Sequence, residues 1–116
     1  MFDSLGIAVI RAAAWITVVA FAAGAASAGD VKAGRGKALA CQACHGLDGI
    51  SQVPDAPNIA GQTEAYLATQ LRSFKSGDRK SEPMKLVAST LTDQDIDNLA
   101  AYFAAIEIKV VKIPGG

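Results

Sequence analysis

The chain has 116 residues, of which 51% are hydrophobic, with eleven basic and eleven acidic side chains. Its length allows one domain, and a net charge of zero lacks the basic excess expected of a nucleic-acid binder. With two cysteines, one histidine and two methionines, few side chains are available for metal or redox chemistry.

The first element is an apolar run. From Ala12 to Ala28 the chain reads AAAWITVVAFAAGAASA without a charge, preceded by Arg11 and closed by Ala26-Ser27-Ala28. A basic flank, a short apolar stretch and a small-x-small end have the form of a secretory signal peptide, here 1–28. Asp3 weakens the positive end, and Ala23–Ala25 offers a second cut. An uncleaved anchor is the alternative, because 17 apolar residues stand at the lower edge of the roughly 20 that a membrane span needs. Cleavage after Ala28 would leave one domain, 29–116, of 88 residues with ten basic and ten acidic side chains. A domain this small buries limited surface and commonly needs a metal, a disulfide or another staple.

Three helices are predicted beyond the apolar run. The first runs roughly from Val31 to Ala40 and leads into Cys41-Gln42-Ala43-Cys44-His45. This C-x-x-C-H spacing is the pattern of c-type haem attachment. Two thiols add to the two vinyl groups of one haem, and the adjacent His45 reaches the iron. Such attachment takes place outside the cytoplasm, a requirement that the N-terminal segment meets independently. A thioredoxin-like redox disulfide is the first alternative, but the chain lacks a βαβ pattern. A structural zinc site is the second, and it needs four ligands where the chain offers two Cys and one His.

Gly46–Gln62 reads GLDGISQVPDAPNIAGQ, a loop by its glycines and prolines. The second helix starts after Thr63, with Leu67, Leu71 and Phe74 on one face and Gly77 as its stop. Met84 comes next, beside Pro83 in a stretch that reads as polar loop, with a short helical turn at Lys85–Ser89. It is the only methionine after the initiator. His45 is the only histidine, so two-histidine ligation of a haem iron within the chain is excluded. A His45/Met84 pair would raise the reduction potential. The alternatives are a packing methionine with five-coordinate iron, or a lysine ligand such as Lys85. The third helix starts at Thr92, with Asp95 completing the cap and Ile96, Leu99, Phe103 and Ile106 on one face. The tail IEIKVVKIPGG alternates apolar and charged residues, as a short strand or a frayed helix end would. The expected fold is all-α with long loops, which must pack on something.

Several motifs resemble those of the bacterial class I c-type cytochromes, most closely a single-haem half of the cytochrome c-four type. They are CQACHG at the cysteines, Asp48-Gly49 after them, PNIAGQ at Pro57–Gln62, YLATQLRSFKSGDR at Tyr66–Arg79, Met84, and LTDQDIDNLAAYFA at Leu91–Ala104. The resemblance spans about Gly34 to Phe103. It implies a small class I cytochrome c fold, with three main helices and loops wrapped around one haem c bound through Cys41 and Cys44. It further implies that the Pro57 carbonyl accepts a hydrogen bond from His45, that Ile59 packs on the haem face, and that Met84 is an axial ligand. Gly34 would let the first helix approach the last near Tyr102, with Phe103 supporting the core. Arg79 would pair with a haem propionate, the alternative being a solvated charge. Many relatives of this type carry two such domains, and this chain shows one.

The expected function is therefore periplasmic electron transfer and not catalysis. Expected partners are redox proteins: a donor dehydrogenase or membrane complex, and an acceptor oxidase or reductase. Lys75, Arg79, Lys80 and Lys85 would form a weak docking rim, diluted by Asp78 and Glu82. A cytochrome subunit of a periplasmic dehydrogenase complex is the second reading, and a haem enzyme or gas binder with open iron the third. The membrane is a partner only if the N-terminal segment is uncleaved.

Overall fold

The computed structural model describes residues 28–115, so the segment with the form of a signal peptide lies, but for Ala28, outside the described residues. Asp30 begins the domain. Its carboxylate accepts from the Ala33 amide at 2.8 Å, capping α1 (Val31–Lys37), and its own amide donates to Asn98 Oδ1 at 2.8 Å. The helix tightens into a 3₁₀ turn at Ala38–Ala40 and restarts as α2 (Gln42–His45). The single predicted helix Val31–Ala40 is thus an α-helix with a tightened last turn, a common way for a helix to end.

The second predicted helix is α3 (Glu64–Ser76), which ends at Gly77 in the left-handed conformation. After α4 (Glu82–Ser89), the third predicted helix is α5 (Asp93–Ala104), opened by a reciprocal capping box. Here Thr92 Oγ1 accepts from the Asp95 amide at 3.1 Å, and Asp95 Oδ2 accepts from the Thr92 amide at 3.0 Å.

Two expectations are corrected. The stretch around Met84 is not a loop with a late helical turn: it belongs to α4, and Met84 sits in the first turn of that helix. Pro83 suggests a loop in the sequence, but the first turn of a helix tolerates proline because its missing N–H would have no partner there. Ser81 caps the turn by accepting from the Met84 amide at 3.4 Å. The tail, likewise, is neither strand nor helix. α5 stops at Ala104, and no regular element comes after it among the described residues. Ile106 nevertheless packs half-buried against the core.

α1 crosses α5 at Gly34. A Cβ on Gly34 would overlap the Asn98 carbonyl and lie 2.8 Å from the Tyr102 Cβ, so only glycine permits this approach. The core lies between α1, α3 and α5 and centres on Leu67, Leu91, Ile96, Leu99 and Phe103. It is small: among the described residues, Ile96 and Leu99 are the large side chains with essentially no exposure. Apolar burial stabilises by roughly 25 cal/mol per Å². A core of so few side chains leaves much of the domain's stability to be supplied by something else.

The capping box also carries a pH dependence. The Thr92 amide, with the Lys37 ammonium at 3.2 Å, holds the Asp95 carboxyl below its ordinary value. A carboxyl lowered by folding stabilises the native state fully above its unfolded pKa. That contribution is lost as pH falls through the lowered native value. Asp95→Asn is therefore expected to lose less stability than the wild type as pH falls from about 5 through that range. Denaturant midpoints of the haem-loaded protein at several pH values check this, and parallel acid limbs for the two proteins would refute it.

Candidate haem site

The site starts from one turn of backbone. Cys41 O accepts from the Cys44 amide at 3.3 Å and from the His45 amide at 2.9 Å. Positions three and four apart share a helix face, so both thiols and the imidazole lie on the same side of α2. All three line one cavity of about 500 Å³. Such a volume suits a small-molecule or cofactor site. Cys41 is half-buried and Cys44 exposed, both as free thiols. Burial, and secondarily the neighbouring Cys44, pushes the Cys41 thiol above its ordinary pKa.

His45 is buried, and its Nδ1 lies 2.8 Å from the Pro57 carbonyl oxygen. A carbonyl only accepts, so Nδ1 carries the hydrogen. In the neutral ring Nε2 then keeps its lone pair, which is the arrangement of a metal-binding imidazole held by its other nitrogen. Pro57 reaches His45 because the loop folds back on itself. The Ile59 and Ala60 amides both donate to Gly49 O, at 2.8 and 3.0 Å, and the Ser51 amide donates to Asn58 Oδ1 at 2.7 Å.

The remaining walls come from the loop, α3 and α4. Ile59, Leu67, Leu71, Phe74, Met84 and Val87 make them mostly apolar. All seven residues named from sequence line this cavity: Cys41, Cys44, His45, Pro57, Ile59, Arg79 and Met84. Lys85, the alternative ligand, does not line it, and its Nζ lies beside Gly77.

Arg79 is exposed, but its side chain has two partners. Its guanidinium lies 4.6 Å from the centroid of the Phe74 ring and donates to Gln70 Oε1 at 2.7 Å. A cation over an aromatic face is worth about 0.5–1 kcal/mol when exposed. Sequence reasoning missed Gln70 and Tyr66, which also line the cavity. They are i, i+4 neighbours beside the Leu67–Leu71–Phe74 stripe, so the helical period itself could have found them.

The cavity answers the two alternatives to haem. Among the described residues no group of three or more His, Cys, Asp or Glu side chains could hold a metal ion. No strand is present among them to build a thioredoxin-like sheet. Two thiols on one helical turn, a buried imidazole with a free Nε2 and a thioether around an apolar cavity fit a haem instead.

Comparisons with known proteins agree. Residues 31–106 match the cytochrome c family. The chain is 45% identical over 84 residues to cytochrome c4 of Pseudomonas aeruginosa, covering 72% of this chain and 42% of that protein. It is 40% identical over 83 residues to cytochrome c-554(548) of Halomonas halodenitrificans, covering 69% of this chain and all of the relative. The crystal structure of reduced recombinant cytochrome c4 from Pseudomonas stutzeri superposes with a TM-score of 0.65 at 43% identity, over 69% of this chain and 47% of that one. The chain spans about half the length of the cytochrome c4 relatives it matches, 42% of that from Pseudomonas aeruginosa. Proteins named thiosulfate dehydrogenase electron acceptor also match. On this fold, cavity and kinship, the chain belongs to the cytochrome c family and has its class I fold, which binds haem c covalently through Cys41 and Cys44.

Proposed function

We propose that this protein is an exported, periplasmic one-electron carrier whose haem iron is held by His45 and Met84. One observation carries the reading: the only histidine, the only methionine beyond the initiator and both cysteines converge on a single apolar cavity. The haem supplies the ferrous–ferric couple. The chain's residues do the rest. Cys41 and Cys44 fix the group covalently, and His45 offers Nε2 while Pro57 holds the ring by Nδ1. Met84 offers a soft thioether, which favours the ferrous state and raises the potential. Ile59 and the α3 stripe exclude water, so little solvent must reorganise when the charge changes. Arg79, with Lys80 beside it on the cavity lining, supplies positive charge for the propionates.

The N-terminal segment 1–28 would direct the domain 29–116 to the compartment where haem c is attached. The kinship with thiosulfate dehydrogenase electron acceptors supports a dehydrogenase as donor, whether in passing encounters or in a lasting complex. No helix among the described residues is long and apolar enough to cross a membrane.

Anaerobic potentiometric titration of the exported holoprotein tests the proposal. A reversible one-electron wave is expected, with rapid second-order reoxidation by an outer-sphere oxidant and no catalytic consumption of peroxide. Sustained peroxide or oxygen turnover would replace the carrier with a haem enzyme.

A further inference from the structure

Among the described residues, none of the tail after α5 lines the haem cavity, yet the tail touches the loop that builds the site. The Gly61 amide donates to Phe103 O at 2.9 Å, just before the chain leaves α5. Gly61 has φ +68, and the space a Cβ would fill there is already taken. It would lie 2.9 Å from Ile108 Cγ1, 3.2 Å from Ile108 Cδ1 and 3.1 Å from Ile106 O. The tail therefore closes on bare backbone at Gly61, where any side chain would push it away. Ile106 anchors the near end against the core. Ile108 itself is 61% exposed, covered on the side that faces Gly61, and farther out Val111 is 96% exposed.

Gly61 closes a short run whose other end is Pro57. Within it Ile59 faces the cavity and the Pro57 carbonyl holds His45. On one side the run is tied to Gly49 by the Ile59 and Ala60 amides. A loop held on one side only can swing away about that hinge, taking the carbonyl with it. The second hold comes from the end of α5 and the tail.

We propose that Ile106–Ile108 is a strap that positions the Pro57–Gln62 loop, and through it the hydrogen bond from His45 Nδ1 to Pro57 O. This rests on the axial role of His45 proposed above. Ile108 is the positioning residue, and it touches neither the cavity nor His45. A slackened strap lets the loop open more often. The hydrogen bond to Pro57 then weakens, the imidazole becomes a poorer donor to the iron, and the ferric form loses stabilisation. The reduction potential should rise.

Ile108→Ala in the haem-loaded protein tests this, with Val111→Ala as control in the same tail. Native-state hydrogen exchange reads the loop directly and does not depend on which side chain binds the iron. Exchange at the Ile59, Ala60 and Gly61 amides should accelerate about tenfold in Ile108→Ala, as local opening becomes easier. Amides in the middle of α5 should be unchanged, the potential should rise, and Val111→Ala should match the wild type in every readout. Unchanged loop exchange in Ile108→Ala overturns the strap. So does acceleration shared equally by α5, which would mean general destabilisation. Faster loop exchange with an unmoved potential overturns the link to His45.

Discussion

Met84→Ala is expected to open the ferrous haem to carbon monoxide, abolish the weak far-red sulfur–iron band of the oxidised protein and lower the reduction potential. The drop should be on the order of 0.1–0.2 V, within the roughly 0.8 V range that axial ligands span. The position makes the variant informative. Met84 lies in the first turn of α4, its amide held by Ser81 Oγ and its side chain on the cavity. Alanine keeps that backbone and has the highest helix propensity, so the helix should survive and the change should report the sulfur. Lys85 lies off the cavity and is not placed to substitute. Spectra of wild type and variant, oxidised, reduced and with the gas, check it. A wild type that already binds carbon monoxide, with the variant looking the same, would remove Met84 from the iron and reopen the catalytic or gas-binding reading.

A Cys41→Ala/Cys44→Ala chain, freed of haem, should lose cooperative folding. Without the haem, the apolar walls of a cavity of about 500 Å³ would face water, at a cost of roughly 25 cal/mol for each Å² of apolar surface left exposed. Whole domains are stable by about 5–15 kcal/mol. The walls would have to collapse, and the His45–Pro57 loop has little else to collapse onto. A thermal melt followed by circular dichroism should show a broad, shallow slope in place of a transition. A sharp two-state melt of the haem-free variant would contradict this and show that the small core around Ile96 and Leu99 suffices.

Much of the site was legible because its signals are local. The thioether spacing of Cys41 and Cys44, the adjacent His45, and the cap formed by Thr92 and Asp95 each fall within a single helical turn or little more. At that range, helical geometry alone dictates who meets whom. Met84 could be singled out as a candidate ligand by elimination, as the one methionine after the initiator, and by the resemblance. Its helix escapes a sequence reading because a proline at a helix start looks like a proline in a loop until the cap is known. The tail misleads for a related reason. Alternating Ile106, Ile108 and Val110 suggest a strand, but a strand needs a neighbour to pair with, and none is present among the described residues.

Helices, caps and the chemistry of the attachment turn depend on neighbours along the chain, so residue order alone is enough to specify them. Which distant groups meet depends on packing in three dimensions. The Pro57 carbonyl reaches His45 across twelve residues because Gly49 folds the loop back. Arg79 is held by Phe74 and Gln70 because Gly77 turns the chain after α3. Gly34 can be explained only once Asn98 is seen against it, and Ile108 matters only because Gly61 leaves room for it. These contacts come from close packing, which fills space between segments far apart in the chain and leaves no periodic trace in either.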